Sequence, residues 1–348
     1  MVCIAAFIIL ALIGIFVAII SIFKPKVGRT YWKLLKKSGS CLGKKVRLQK
    51  CEIGFKEDVK NSLLSHVVMK HPKWLKPLSI LIEILAVVIV VVFVWAVLTA
   101  IKSLLALWVL GSCNVTKAES CTLGAEVCSI DESEPQNALE ATGRWFEEWG
   151  EIFEAIPDKF REYHAEDYTL NSITVSENTN ALALDILDPG CVVCMKSYVA
   201  QKSSGFFDKY QVKIVPFAIQ GADDTYKFKN SEIAVRYILA ADDFRAGLGL
   251  KILDHIFTDR DEDGILYQDL FNEDFSREEA VAAIEGWLKE AGVHSAERAK
   301  IREKAKSEEI TAKMSENRKV VENEIKVKGI PTMIYDGMRH TGLYKVES

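Results

Sequence analysis

Charge is missing from two stretches of this 348-residue chain. Residues 1–23 contain no Asp, Glu, Lys or Arg, and neither do residues 84–101. With 26% charged and 49% hydrophobic residues overall, such runs mean that the apolar residues are segregated, which excludes a disordered or purely cytosolic chain. Acids are scarce in a third stretch. Residues 24–78 hold 15 Lys and Arg against only Glu52, Glu57 and Asp58, a local charge of +12, whereas residues 112–348 carry −16. Cysteine is also sparse, since eight in this length are too few for a disulfide scaffold. No flavin, haem or nicotinamide signature and no internal repeat is present.

About 20 apolar residues span a bilayer as a helix, so both uncharged runs are long enough. A cleaved signal peptide needs basic residues ahead of its apolar stretch; here none precedes Ile4, and Lys24, Lys26 and Arg29 follow. The expected arrangement is a first transmembrane helix at 1–23, a basic cytoplasmic loop at 24–78 and a second transmembrane helix at 79–111, with Trp108 at the outer headgroup level. Basic loops stay inside, which places both termini and the rest of the chain outside a plasma membrane. The loop has neither an aromatic-interleaved pattern nor a finger spacing, so retention and attraction to the lipid bilayer explain it without nucleic acid. Cys41 and Cys51 then face the cytoplasm, and Cys3 and Cys113 the outer interface.

Residues 112–134 read as an extracytoplasmic linker, containing Cys121 and Cys128 and a formal glycosylation triplet at Asn114. Cys121 and Cys128 suit a small structural disulfide, with a relay of electrons to Cys191 as the alternative. Residues 135–169 form an amphipathic helical segment. Trp145, Trp149, Ile152 and Ile156 fall on one stripe with Phe146, Phe153 and Phe160 beside it, and Pro157 breaks the run. That face suits packing on its own domain or at the membrane surface better than a partner groove. The domain at 170–348 opens with a strand at 181–187 and a helix at 195–204, followed by a strand at 211–220. Helices follow, with Ser231 opening one, a capping box at Ser276 and Glu279, Gly292 as a stop and a last helix marked by Ile310, Met314, Val321 and Ile325. A strand at 331–335, an Asp336-Gly337 turn and a strand at 342–346 close the chain.

The chemistry centres on Cys191-Val192-Val193-Cys194 between the first strand and its helix. A thiol at a helix N-terminus faces free backbone N–H groups that favour the thiolate, and a second thiol one turn on can resolve a mixed disulfide. Half of a zinc site is the competing reading, but the scattered His164, His255, His294 and His340 offer no second pair. Asp185 lies six residues before Cys191, and Gly329-Ile330-Pro331-Thr332 precedes the final hairpin.

With these residues the sequence resembles the thioredoxin superfamily, in its DsbA-like branch, over roughly half of the chain. The resemblance implies an α/β thioredoxin-like fold with a helical insert at 221–328, here preceded by two transmembrane helices. It makes Cys191 the attacking thiol, Cys194 the resolving one, Asp185 the proton acceptor or donor for Cys194, and Pro331 a cis residue. Ile330 and Thr332 would lie beside a bound substrate strand, and the dithiol would need no cofactor. The Val-Val dipeptide departs from the Pro-His and Gly-Pro of well-known members, so the family's redox poise does not carry over. The resemblance leaves no room for the family's C-terminal helix after the last strand, so either residues 135–166 or the insert are expected to cover that face, or the domain is trimmed.

Asp259, Asp261 and Asp263 before Gly264 match the first half of a calcium loop, although the twelfth position is Leu270. Taken together, the sequence points to a membrane-anchored extracytoplasmic thiol–disulfide oxidoreductase. Its partners would be exported cysteine-containing proteins and a membrane redox protein that resets the dithiol. The alternatives are a non-catalytic thioredoxin-like binding module, with Cys191 and Cys194 permanently bonded, and a membrane-tethered calcium-binding or scaffold protein.

Overall fold

The computed structural model describes residues 36, 75–112, 127–130, 137–176, 181–221 and 225–345. The first apolar run, nearly all of the basic loop, Cys3, Cys41, Cys51, Cys113, Cys121 and the Asn114 triplet lie outside the described residues. Two compact units divide the chain, Met1–Ile101 and Lys102–Ser348; the sheet and the helices around it belong to the second.

The second apolar run is helical, α1 (Leu75–Leu110). Its stretch Val87–Leu110 is long and apolar enough to cross a membrane, one such helix among the described residues. Helix α2 (Ala138–Ala155) starts where the Asn137 side chain accepts from the backbone N–H groups of Leu139 and Glu140, and gives way to a 3-10 turn at Pro157–Lys159. The aromatic stripe splits. Ile152 is fully buried with Ala106, Val109 and Leu110, whereas Phe146, Phe153 and Phe160 stay exposed. Lys102 is buried beside this contact, paired with Glu148 and 5.2 Å from the Trp145 ring centre.

The sheet has the order β2-β4-β3-β6-β7. Its members are β2 (Ile173–Thr174), β3 (Leu182–Leu187), β4 (Gln211–Pro216), β6 (Thr332–Tyr335) and β7 (Met338–Thr341). Strands β3 and β4 are parallel, joined through helix α3 (Val192–Ser204) and the short α4 (Phe206–Lys209), while β6 runs antiparallel to β3 and to β7. A parallel pair with a helical crossover, completed by an antiparallel hairpin on the other side of the first strand, is the thioredoxin-like arrangement. Central β3 is covered on both sides, so Ala183 to Leu187 are all buried, the acid Asp185 included.

Between β4 and β6 come the insert helices α5 (Ser231–Phe244), α6 (Leu248–Thr258), α7 (Tyr267–Asp269), α8 (Arg277–Glu290), α9 (Ser295–Ala305) and α10 (Glu308–Lys319). Helix α8 starts with the expected capping box of Ser276 and Glu279, and α10 continues as a π-helical turn over Val320–Glu324. Helix α5 packs on β2 and β4 and helix α6 on β2. The segment after α2 reaches the hairpin, where Tyr163 N–H donates to Gly337 O at 2.9 Å and Arg339 lies over the Tyr163 ring.

Two expectations need correction. The last strand is Met338–Thr341, not 342–346, because Asp336 and Gly337, both with positive φ, make a two-residue turn that starts the return strand at once. The calcium loop does not gather its carboxylates. Asp259 lies 2.6 Å from His255 Nδ1, while Asp261 Oδ1 accepts from the N–H groups of Asp263 and Ile265 and closes an ordinary turn. Among the described residues, no group of three or more His, Cys, Asp or Glu side chains could hold a metal.

Close packing of α5 on α6 is directly testable. A Cβ added at Gly249 would lie 2.5 Å from the Ile238 carbonyl oxygen, whereas one at Gly286 meets nothing. In urea unfolding, Gly249→Ala should cost ~1–3 kcal/mol, and Gly286→Ala should be neutral or stabilising by up to ~1 kcal/mol.

Candidate active site

Strand β3 ends at Leu187, and Asp188-Pro189-Gly190 turns the chain into α3. Cys191 is the N-cap residue of that helix, its N–H donating to Asp188 O at 3.0 Å. Helix α3 thus starts three residues earlier than the sequence suggested, directly after the first thiol. Asp188 was not singled out in the sequence, yet it organises the turn. Its Oδ1 accepts from Gly190 N–H at 2.7 Å and from the Ser231 hydroxyl, and its Oδ2 accepts from Ile219 N–H at 2.8 Å. Burial raises its pKa to about 6 despite these bonds. The insert holds the same turn from above, with Gln268 Nε2 donating to Pro189 O and Asn272 Nδ2 to Gly190 O.

Cys194 is a fully buried free thiol. Burial pushes its pKa up, a backbone hydrogen bond with Asp188 opposes this, and the Asp188 and Asp185 charges push it further up. Asp185 is 1% exposed, and its Oδ2 accepts from Gln201 Nε2 at 2.9 Å. Its Oδ1 has no hydrogen-bond partner among the described residues. Burial raises its pKa from 3.8 to about 7, the Gln201 bond holding it back in part. Gln201 was also missed, although a signal existed: Cys194, Ser197 and Gln201 recur at three- and four-residue spacing and form the buried side of α3.

The Gly329-Ile330-Pro331-Thr332 segment meets this helix start. The Ile330–Pro331 bond is cis, and Cys191 Sγ lies 3.9 Å from Ile330 O. Thr332 is buried, its hydroxyl donating to Gly329 O at 2.7 Å; it holds the loop's own shape. Ile330 is buried as well, because a further strand covers it.

That strand overturns an expected pairing. Cys128 and Ser129 form β1, antiparallel to β5 (Gly329–Ile330), with Cys128 opposite Ile330 and Ser129 opposite Gly329. Cys128 is disulfide-bonded to Cys191, 63 residues away, and not to Cys121. The region read as a linker therefore contributes a strand to the site, and Cys191 is bonded outside its own Cys-x-x-Cys. Strand pairing is the physical reason: the edge of β5 draws residues 127–130 over Cys191, a long-range contact that local spacing does not encode.

No protein-family model matches the chain, and no curated protein matches it. Several solved structures are similar to part of it at low sequence identity. One is ScsC of Proteus mirabilis in a transitional conformation, at 12% identity over 59% of this chain and 84% of that one, with a TM-score of 0.38. Another is a thioredoxin-like oxidoreductase from Silicibacter pomeroyi, at 14% identity over 51% and 86%, TM-score 0.35. A third is the thiol-disulfide exchange protein alpha-DsbA2 of Wolbachia pipientis, at 16% identity over 61% and 94%, TM-score 0.35.

The buried carboxyl sets a pH dependence of stability. An acid whose pKa is raised on folding costs nothing below its unfolded value near 3.8, and its full cost is reached above about 7. Asp185→Asn should therefore stabilise the domain by up to ~4 kcal/mol at pH 8 and leave it nearly unchanged at pH 3.5, measured by urea unfolding at both pH values.

Proposed function

We propose that this chain is a membrane-anchored thiol–disulfide oxidoreductase acting on cysteines of exported proteins at the extracytoplasmic face. The observation that carries the reading is the site itself. Cys191 lies at a helix N-terminus against the Ile330 carbonyl, with a buried free thiol one turn behind it and a buried carboxyl of raised pKa nearby. Anchoring is supported by the exposed apolar side chains of α1, Val91, Val92 and Leu104 among them, and the orientation by the basic loop at 24–78.

In the reductive direction, the Cys191 thiolate attacks a substrate disulfide, forming a mixed disulfide and releasing one substrate thiolate. Cys194 then gives up its proton, attacks the Cys191 sulfur and releases the second substrate thiolate, leaving a Cys191–Cys194 disulfide. Run backwards, the same steps oxidise a substrate dithiol. Asp185, with a pKa of about 7, accepts the Cys194 proton through its unpartnered Oδ1 near neutral pH and returns it on reversal. A membrane redox protein must reset the pair after each turnover, since this chain supplies only two electrons per dithiol. The Cys128–Cys191 bond favours a second reading, a binding module in which Cys191 is permanently tied.

Trapping in intact membranes separates the two. With Cys128 replaced by Ser to free Cys191, adding Cys194→Ala should accumulate mixed disulfides between the full chain and exported proteins on non-reducing gels. Adding Cys191→Ala should abolish them. If no adduct forms while the protein is folded, the binding module replaces the oxidoreductase. Asp185→Asn should slow resolution at pH 7 by about tenfold or more, and an unchanged rate would remove its proton-transfer role.

A further inference from the structure

Residues 127–130 lie among polar and acidic neighbours in the sequence, yet Val127, Cys128 and Ser129 are each no more than 3% exposed. They achieve this by adding to the free edge of β5. Beyond the Cys128–Ile330 and Ser129–Gly329 pairs, Ile130 N–H donates to Lys328 O at 3.2 Å. Lys227, reaching from the chain after β4, donates to Ser129 O at 3.2 Å. The edge is shaped for this approach. A Cβ on Gly329 would lie 3.1 Å from both Cβ and Cγ2 of Val127, so a larger residue there would crowd the approaching strand. An extended segment paired by its main chain, with a cysteine bonded to the attacking thiol, has the form of an enzyme–peptide mixed disulfide.

We infer that residues 127–130 are the chain's own substrate strand and that Cys128 is a third redox-active cysteine, displaced from Cys191 by Cys194 through thiol–disulfide exchange. This rests on the oxidoreductase reading of Cys191 and Cys194. The exchange balances within the chain. The Cys194 thiol loses its proton and attacks the Cys191 sulfur; the Cys191–Cys194 bond forms as the Cys128–Cys191 bond breaks. The electron pair leaves on Cys128, which takes up a proton. One disulfide and one thiol are present before and after, so no outside oxidant or reductant takes part. The occupied strand site excludes external peptides. Release of Cys128 uncovers the β5 edge, so admission of a substrate follows the state of the cysteines as well as competition for the edge. The same edge should prefer extended peptides with a β-branched residue before the cysteine and a small one after it, as in Val127-Cys128-Ser129.

The test uses the full-length protein in detergent with Cys121→Ser as the parent, so that Cys128 has no neighbouring alternative. After equilibration in glutathione buffers of graded ratio, free thiols are acid-quenched and disulfides mapped by mass spectrometry without reduction. Both Cys128–Cys191 and Cys191–Cys194 linkages should appear in the parent. Cys194→Ser should leave only the former, Cys128→Ser only the latter, and Val127→Asp should lower the Cys128–Cys191 share at least tenfold. A synthetic peptide of residues 125–131 should form a mixed disulfide with the Cys128→Ser/Cys194→Ser protein at least tenfold faster than a scrambled peptide of the same composition. Failure to find the Cys128–Cys191 linkage in the parent at any ratio overturns the inference. So does a linkage that never yields Cys191–Cys194 although Cys194 is present, since the bond is then structural. Exchange of Cys128→Ser protein with an external disulfide peptide separates the two claims. If it proceeds while either of those results holds, only the self-substrate strand falls; if it too is absent, the oxidoreductase reading falls with it.

Discussion

The Asp188 carboxylate is where the parts of this domain meet. One buried side chain accepts from the turn that carries Cys191, from the backbone just beyond β4 and from Ser231 at the start of the insert. A charge or carboxyl taken out of water is tolerated only when such bonds replace the lost hydration. The requirement works in both directions: the bonds keep Asp188 buried, and Asp188 keeps three separate segments in one arrangement. Helix α3 therefore starts at a defined place, and the Cys191 sulfur lies against the Ile330 carbonyl rather than at solvent.

Behind that thiol the polar groups are deliberately few. Cys194, Asp185 and Gln201 share an interior in which Asp185 Oδ1 and Gln201 Oε1 lack hydrogen-bond partners among the described residues. In so dry a place neither a thiolate nor a carboxylate is comfortable: burial raises the pKa of both groups, and the Asp185 charge raises that of Cys194 further. The arrangement holds Cys194 as a thiol. The fold accepts a stability cost for this poise, the usual relation between a strained site and the scaffold that supports it.

The insert and the segment before the domain supply what the minimal sheet and helix do not. Gln268 and Asn272 hold the turn before Cys191 from the insert side, and β1 closes the edge of β5 from the other. Neither element carries a thiol-activating group, yet together they decide which face of Cys191 is reachable. In the bonded state that face is occupied by the chain's own Cys128.

What was legible in the sequence was local. Period and punctuation marked β3, the capping box at Ser276 and the Asp336-Gly337 turn, because a turn, a cap or an apolar alternation is written in neighbouring residues. The apolar run within α1 and the Cys191–Cys194 spacing were readable for the same reason. Element edges shifted by a few residues where a cap or turn outranked pattern, as at Cys191 and Met338. Three features belonged to the tertiary structure alone. Asp188 and Gln201 became central only when strands, helix and insert closed around them, since burial is a property of the assembled core. Asp259, Asp261 and Asp263 had ligand spacing, but the Asp259 side chain turned to His255 and that of Asp261 to the loop's own backbone. The partner of Cys191 was set by a strand pairing between residues some 200 positions apart. The sequence by itself determined that Cys191 stands at a helix start with Cys194 one turn behind it. Only the folded chain, by adding residues 127–130 to an open backbone edge, decided which sulfur Cys191 would meet.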